Sequence, residues 1–226
     1  MRVIPHERFP GVYWIESDDE TRKLATKNLA PGTQVYGEKL VRFKDVEYRT
    51  WDPYRSKLAA AILRDIKDLP IVEGAKVLYL GAASGTTASH VSDLVGAGGL
   101  VYCVEISSRP LRDLLLVCNK RANMVPLLTD AARVESYCSL IEQVDVIYQD
   151  IAQPEQTDIL LANVRAFLRE GGHAMLALKA RSIDVTKEPR DIFRDEMEKL
   201  EQELEVVDMK ILEPYDKDHA MFLLRL

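Results

Sequence analysis

The chain has 226 residues, 47% of them hydrophobic, which is enough for one sizeable core and a small appended unit. Its 30 lysines and arginines are outnumbered by 36 aspartates and glutamates, and the net charge of −6 argues against a protein that binds nucleic acid unaided. The cysteines Cys103, Cys118 and Cys138 have neither CxxC nor paired zinc-ligand spacing, so we expect reduced, buried thiols.

The N-terminal segment MRVIPHERFPGVYWI has charges and two prolines where a signal peptide needs an unbroken apolar stretch. No apolar run of membrane-spanning length occurs in the sequence. We therefore expect a cytoplasmic protein without a signal peptide, a transmembrane segment or a role at a membrane.

Residues 11–54 contain short alternating or aromatic-rich pieces, namely VYWIES, KLATKNL and KLVRFKDVEYRTW. They are separated by turn residues such as Pro31 and Gly32. Such a pattern predicts a small antiparallel sheet. We assign residues 1–55 to an N-terminal β lobe.

A helix is predicted to follow this lobe. Ser56 can cap its start, and Pro70 lies beyond its end. The apolar residues that recur at helical spacing are Leu58, Ile62, Ile66 and Leu69. We assign residues 56–226 to a second, larger domain that begins with this helix.

Strands and helices alternate after Gly74. The predicted order is the strand KVLYL, a helix over TTASHVSDLVG, the strand LVYCVEI, a helix from about Ser108, the strands NMVPLL and VDVIYQD, a helix from Gln156 to Leu168 that ends at Gly171-Gly172, and the strand HAMLALK. Regular alternation predicts an α/β fold with a mainly parallel sheet covered on both faces.

The C-terminal segment departs from this alternation. A helix that carries Phe193, Met197, Leu200 and Leu204 precedes two strands, LEVVDMKIL and HAMFLLRL, with a short turn between them. Strands joined so closely must be antiparallel. The predicted seven-stranded, mostly parallel sheet with a C-terminal antiparallel hairpin is similar to the Rossmann-like methyltransferase fold.

The turn LYLGAASGTT is typical of a ligand-binding loop. Gly81 ends the strand and Gly85 follows at the start of a helix, where small residues let backbone N–H groups approach a ligand. The order GxxxG differs from the GxGxxG of dinucleotide sites, which lowers the expectation of NAD or FAD. A tight turn that binds nothing is the alternative.

Acidic residues end the neighbouring strands. Glu105 lies 20 residues after Gly85, where a carboxylate can accept hydrogen bonds from both ribose hydroxyls of a nucleoside. Asp130 with Ala131 follows the third strand, and Asp150 follows the fourth. Together they predict a nucleoside site at the carboxyl edge of the sheet, although Glu105 alone could be a solvated acid.

Six segments together resemble fibrillarin: YRTWDPYRSKLAAAI, VLYLGAASGTTASHVSDLVG, VYCVEISSRPLRDLL, DAA after NMVPLLTD, DVIYQDIAQPEQTDILLANV and LKARSID. The resemblance covers essentially the whole chain. The Gly/Arg-rich N-terminal extension of eukaryotic fibrillarins is absent, so the chain is similar to the shorter archaeal form.

The resemblance implies a methyl donor, S-adenosyl-L-methionine, and as acceptors the ribose 2′-hydroxyls of rRNA and tRNA. It also implies a box C/D guide RNA, a Nop5 (Nop56/58-like) scaffold protein and the kink-turn binder L7Ae as partners. The sulfonium methyl is already a strong electrophile, so the reaction needs in-line alignment of the hydroxyl and removal of its proton but no metal.

The resemblance also implies site residues. Those expected at the donor are Gly81, Ala82, Ser84, Gly85, Thr86, Thr87, Glu105, Ile106, Asp130, Ala131, Asp150 and Gln153. The expected catalytic set is Lys57, Asp150, Lys179 and His219. Lys179 is expected to accept the proton of the 2′-hydroxyl or to orient it, with the other three positioning and tuning it.

Other functions remain open at this point. The fold and donor turn also serve methyltransferases that act on a protein side chain or a small molecule, and a non-catalytic scaffold could retain the fold. We expect the basic residues near the site, Arg42, Lys44, Arg49, Arg55, Lys57, Lys179 and Arg181, to form at most a local patch. The lobe aromatics Tyr13, Trp14, Tyr36 and Phe43 are one possible partner surface.

Overall fold

The computed structural model describes residues 1–18 and 21–226, which form two β-sheets flanked by helices. The first sheet contains β1 (Arg2–Pro5), β2 (Val12–Glu16), β3 (Arg22–Lys27), β4 (Leu40–Phe43) and β5 (Val46–Thr50) in the spatial order β1-β2-β3-β5-β4. All its strand pairs are antiparallel. The predicted N-terminal antiparallel sheet is thus confirmed, and β1 is a strand that we did not predict.

The second sheet has seven strands in the order β11-β12-β10-β9-β6-β7-β8. Its strands are β6 (Lys76–Leu80), β7 (Leu100–Glu105), β8 (Met124–Leu128), β9 (Val144–Gln149), β10 (Leu168–Lys179), β11 (Glu205–Ile211) and β12 (His219–Arg225). Strands β8, β7, β6, β9 and β10 are parallel, whereas β12 is antiparallel to both β10 and β11. This confirms the predicted Rossmann-like sheet with its C-terminal hairpin.

Helices cover both faces of this sheet. They are α1 (Lys57–Leu63), α2 (Thr86–Val95), α3 (Ser108–Cys118), α4 (Gln156–Phe167), α5 (Ala180–Ile183) and α6 (Pro189–Leu200). Successive side chains of a strand point to opposite faces, so Val77 joins the core under α1, α2 and α3, whereas Leu78 joins the core under α4 and α6. The two cores fix the sheet between its helix layers.

The helix predicted from Ser56 to Pro70 is shorter in the structure. Ser56 caps it as expected, because its hydroxyl accepts a hydrogen bond from the N–H of Ala59. The helix ends at Leu63, and Asp65 adopts a left-handed conformation with φ of 61° that an α-helix cannot continue through. Ile66 and Leu69 are buried in the connection that follows, so their apolar spacing reflects burial and not a helix.

Two smaller expectations were wrong. The chain turns into β10 at Leu168, directly after α4, and Gly171 and Gly172 lie within that strand, not at a helix end. All three thiols are free, but only Cys103 is buried, whereas Cys138 is exposed. Within the described residues, no helix combines the length and apolarity that crossing a membrane requires.

Candidate active site

The carboxyl ends of four parallel strands meet at one edge of the second sheet. Pairing of Leu80 with Val104 and with Gln149 places the residues that follow β6, β7 and β9 side by side. A cavity of about 270 Å³ lies at this edge. Its predicted lining residues are Gly81, Glu105, Ile106, Asp130, Ala131, Asp150 and Gln153, and those we did not predict are Ala83, Val104, Thr129, Ile151 and Ala152.

Gly81 is required where β6 and β9 approach each other. A Cβ atom at this position would lie 2.2 Å from the carbonyl oxygen of Asp150, and φ is +85°. Both facts exclude larger side chains without movement of the backbone. The glycine therefore lets the backbone pass the neighbouring strand and leaves the space of the cavity open.

Glu105 is anchored by the backbone at the mouth of this cavity. Its Oε2 accepts a hydrogen bond from the N–H of Ala83, and its Oε1 accepts one from the N–H of Ser107, each at 2.8 Å. A carboxylate oxygen can accept more than one hydrogen bond, so each retains capacity for a ligand hydroxyl. Its position beside Asp130, with only 7% exposure, makes Glu105 a preorganised acceptor.

Five of the residues predicted at the donor do not line this cavity: Ala82, Ser84, Gly85, Thr86 and Thr87. Gly85 caps α2 with φ of +92°, and Thr87 donates a hydrogen bond to the hydroxyl of Ser56. Ser84 and Thr86 line another cavity, between residues 33–36 and α3. The turn therefore positions the start of α2, while its backbone at Gly81 and Ala83 faces the nucleoside-sized cavity.

Lys57 links helix α1 to the same edge of the sheet. As the first residue after the Ser56 cap, it places its Nζ 2.9 Å and 3.0 Å from the two carboxylate oxygens of Asp150. A second carboxylate, of Asp216, lies 3.7 Å from the same nitrogen. Burial disfavours the ammonium, but the two carboxylates outweigh it and raise the pKa of Lys57, so this lysine stays protonated.

Asp216 is a site residue that sequence reasoning missed. Its carboxylate lies 2.8 Å from Nδ1 of His219 as well as close to Lys57. Burial favours its neutral form, yet the hydrogen bond from His219 and the charges of His219, Lys57 and Lys179 hold its pKa below the ordinary value. The available indication was its place three residues before His219 in PYDKDH.

The tautomer of His219 follows from its neighbours. Its Nδ1 faces the carboxylate of Asp216 at 2.8 Å and the backbone carbonyl of Lys217 at 2.7 Å. Both are acceptors, so Nδ1 carries a proton. In the neutral ring, Nε2 is therefore the nitrogen with the free lone pair.

Lys179 ends β10 directly opposite His219 on β12. Its backbone is fixed by Gln156, whose side chain accepts from the N–H of Lys179 at 3.0 Å and donates to its carbonyl at 3.1 Å. Among the described residues, no carboxylate lies within ion-pair distance of its ammonium nitrogen. We call Lys57, Asp150, Lys179, Asp216 and His219 the polar cluster. It contains one lysine held by carboxylates, Lys57, and one whose amine is available to a ligand, Lys179.

The expected basic patch is smaller than the sequence indicated. Arg49 is fully buried and pairs with Glu38 and Asp93, so it is not part of the surface. Arg181 pairs with Asp218. The remaining exposed cations of the predicted patch are Arg42, Lys44 and Arg55.

Comparison with known proteins places the chain among methyltransferases of RNA. The fibrillarin family model matches residues 3–226. A fibrillarin-like rRNA/tRNA 2′-O-methyltransferase of Methanopyrus kandleri is 55% identical over 221 residues, which cover 97% of this chain and 95% of the relative.

Two solved structures are similar over almost their whole length. The Aeropyrum pernix fibrillarin in complex with natively bound S-adenosyl-L-methionine is 50% identical, with a TM-score of 0.93 and coverage of 99% of this chain and 98% of that one. A chain of a fibrillarin/Nop5p complex is 42% identical, with a TM-score of 0.87 and coverage of 98% and 100%.

Proposed function

The chain belongs to the fibrillarin family, and from this premise we propose that it transfers a methyl group from S-adenosyl-L-methionine to ribose 2′-hydroxyls of rRNA and tRNA. The observation that carries the proposal is the position of Asp150. This residue lines the nucleoside-sized cavity and also holds Lys57 in the polar cluster. A donor methyl and an acceptor hydroxyl would therefore meet beside one carboxylate.

The cavity suits the donor in shape and in chemistry. The glycine at Gly81 leaves room beside the strand ends, and Glu105 presents two anchored oxygens to a ribose. We assign Asp130 and Ala131 to the adenine side, and Asp150 and Gln153 to the methionine side. When bound, S-adenosyl-L-methionine supplies an electrophilic sulfonium methyl group, so no metal has to activate it.

The acceptor side has to align a weakly acidic hydroxyl and let its proton leave. Lys57 remains an ammonium, because two carboxylates flank it, and is therefore a poor proton acceptor. We assign to Lys57 and Asp150 the role of positioning, and to Lys179 the direct contact with the 2′-oxygen. His219 and Asp216 tune the charge around Lys179 and hold the end of β12.

A transfer assay with methyl-labelled donor tests the proposed function. Label is expected in the ribose of a target RNA once the guide RNA and protein partners are present. Label in a protein or a small molecule, with none in RNA ribose, would favour the other class of acceptor that the sequence left open. No label in any acceptor would favour a non-catalytic scaffold.

Glu105→Ala is expected to weaken binding of S-adenosyl-L-methionine by about 1–3 kcal/mol, the usual loss for hydrogen bonds to a charged group. Calorimetry on the isolated protein, without RNA or metal, measures it. Glu170→Ala is the matched control, because Glu170 is exposed near the start of β10 and does not line the cavity. Equal affinity of wild type and Glu105→Ala would remove Glu105 from the ribose.

We propose further that the chain is the catalytic subunit of a box C/D guide ribonucleoprotein. Its partners in this proposal are a Nop5-like scaffold protein, as in the similar fibrillarin/Nop5p complex, together with L7Ae, the guide RNA and the target RNA. The net charge of −6 supports dependence on partners, because such a chain gains little from phosphate neutralisation. We place this assembly in the cytoplasm.

The protein alone is expected to methylate a box C/D target poorly and without site preference, since a small basic patch can orient a ribose but cannot select a sequence. Adding the guide RNA and both protein partners should direct methylation to one nucleotide. Mapping of 2′-O-methyl marks measures this. Equal, site-specific methylation without partners would contradict the expectation.

A further inference from the structure

A buried glutamine, Gln156, joins the strand that carries Lys179 to the segment that lines the donor cavity. It is the first residue of α4 and is 0% exposed. Its side-chain amide accepts a hydrogen bond from the N–H of Lys179 at 3.0 Å and donates one to the carbonyl of Lys179 at 3.1 Å. One side chain therefore holds both hydrogen-bonding groups of one backbone residue.

This amide takes the place of a missing strand neighbour. The parallel pairing of β10 with β9 ends at Leu176 and Gln149, three residues before Lys179. On the other side of β10, the pairing with β12 continues as far as Lys179 and His219. Because both backbone groups of Lys179 point to Gln156, Lys179 and His219 form a non-hydrogen-bonded pair, in which facing side chains lie closest.

The register of β10 carries this restraint to the side chain of Lys179. Met175 and Ala177 belong to the core under α1, so the side chain two residues further on points to the same face of the sheet. Lys57 begins α1 on that face. Loss of the two hydrogen bonds would let the end of β10 twist, and the long side chain of Lys179 amplifies a small rotation at its backbone into a larger displacement of its amine.

A further contact fixes Gln156 relative to the donor cavity. Nε2 of Gln149 donates a hydrogen bond to the backbone carbonyl of Gln156 at 2.5 Å. Gln149 ends β9 and Gln156 begins α4, so this bond closes the loop of residues 150–155 at its two ends. The loop residues that line the donor cavity are Asp150, Ile151, Ala152 and Gln153. The backbone of Gln156 is thus tied to the donor side, and its side chain to Lys179.

We propose that Gln156 is a positioning residue for methyl transfer, which holds the backbone of Lys179 so that its amine meets the acceptor oxygen in line with the donor methyl. Gln156 acts through Lys179, because it is buried and does not line the donor cavity. The inference rests on the proposed function in taking Lys179 as the contact of the 2′-oxygen. The alternative is that Gln156 only stabilises the fold, as a satisfied buried amide does.

A double-mutant cycle separates the two roles. Gln156→Met should lower the single-turnover rate of methyl transfer in the guided complex by about 10- to 10²-fold, the cost of a misplacement of about 1 Å, with donor affinity unchanged. In the Lys179→Ala background the same substitution should cost less than about twofold, because the group that Gln156 positions is gone. Equal losses in both backgrounds would overturn the proposal.

Thr157→Val is the matched control. Thr157 is the next residue of α4 and is buried, and its hydroxyl has no hydrogen-bond partner among the described residues. Its replacement should leave the rate of transfer at the wild-type value. A loss of rate as large as that in Gln156→Met would show that any change at the start of α4 disturbs transfer, and the assignment to Gln156 would fail.

Gln156→Glu gives a second readout and also guards against misfolding of Gln156→Met. A neutral carboxyl has one donor and one acceptor, as the amide has, whereas a carboxylate has only acceptors. Relative to wild type, transfer should therefore be highest at acidic pH and fall as the pH rises through the pKa of the introduced carboxyl. For Gln156→Met the ratio should not depend on pH. If both variants keep the wild-type rate at every pH, the inference is wrong and the proposed function stands.

Nuclear magnetic resonance of protein with ¹³C-labelled lysine Cε tests the placement without methyl transfer. The signal of Lys179 is identified by its loss in Lys179→Ala. It should move in Gln156→Met and stay in place in Thr157→Val. An unmoved signal in Gln156→Met would contradict the positioning role. If the signal moves but the wild-type complex transfers no methyl to RNA, the proposed function fails and the restraint of Lys179 by Gln156 stands.

Discussion

Replacing Lys179 with alanine is expected to lower methyl transfer by about 10²- to 10⁴-fold, the usual loss when one positioned acid or base group is removed. Lys179 ends β10 beside His219, and its amine has no carboxylate within ion-pair distance among the described residues. It does not line the donor cavity. Affinity for S-adenosyl-L-methionine should therefore stay nearly unchanged.

The measurement is transfer of labelled methyl to target RNA in the guided complex, with calorimetry for donor affinity. Lys76→Ala is a matched control, since Lys76 begins β6 at the opposite end of the sheet. Wild-type turnover in Lys179→Ala would contradict the assignment.

Lys179→Arg separates two roles that the sequence left open. An arginine remains charged, so it can orient a hydroxyl but cannot accept its proton. Loss of transfer as severe as in Lys179→Ala supports a proton acceptor, and substantial remaining transfer supports an orienting role.

Asp93→Ala is expected to destabilise the protein by about 3–5 kcal/mol, because removing one partner of a buried ion pair leaves uncompensated charge. The carboxylate of Asp93 is fully buried and lies 2.9 Å from Arg49 and 2.5 Å from Arg121. It also accepts hydrogen bonds from Thr26 on β3 and from the N–H of Leu29. This network ties the first sheet to α2.

Urea unfolding measures the change in free energy. Asp113→Ala on the neighbouring helix α3 is the matched control, since Asp113 is exposed and its loss should change stability by less than about 0.5 kcal/mol. If the loss of unfolding free energy in Asp93→Ala is as small as that expected for Asp113→Ala, the buried network contributes little to stability. The prediction concerns stability alone, because Asp93 does not line the donor cavity.

The order of strands and helices in the larger sheet could be predicted from local patterns. The run VLYL, residues 77–80, is apolar because β6 is buried on both faces there, and the closely joined LEVVDMKIL and HAMFLLRL had to be antiparallel. The end of the first helix could not be predicted in this way. Ile66 and Leu69 are buried outside a helix. Apolar spacing does not distinguish the buried face of a helix from a buried irregular segment.

Prediction of the candidate site was similarly uneven. Glu105 lies at the end of a predicted parallel strand, and Asp130 and Asp150 follow two others, so sheet topology alone brings them to one edge. Ala83 carries no such indication. It lines the cavity because its backbone adopts φ of 48° and donates to Glu105, which the identity of an alanine does not reveal.

The sequence by itself determined the α/β class, the succession of strands and helices along the chain and the family resemblance, because hydrophobic periodicity, turn residues and sequence motifs are local properties of the chain. Only the tertiary structure decided the charge state of Lys57 and the burial of Arg49 between two carboxylates. Lys57 is 93 residues from Asp150 in the chain, and Arg49 is 44 residues from Asp93. Whether a cation is solvated, paired or buried depends on which distant carboxylates the folded chain brings within a few ångströms of it.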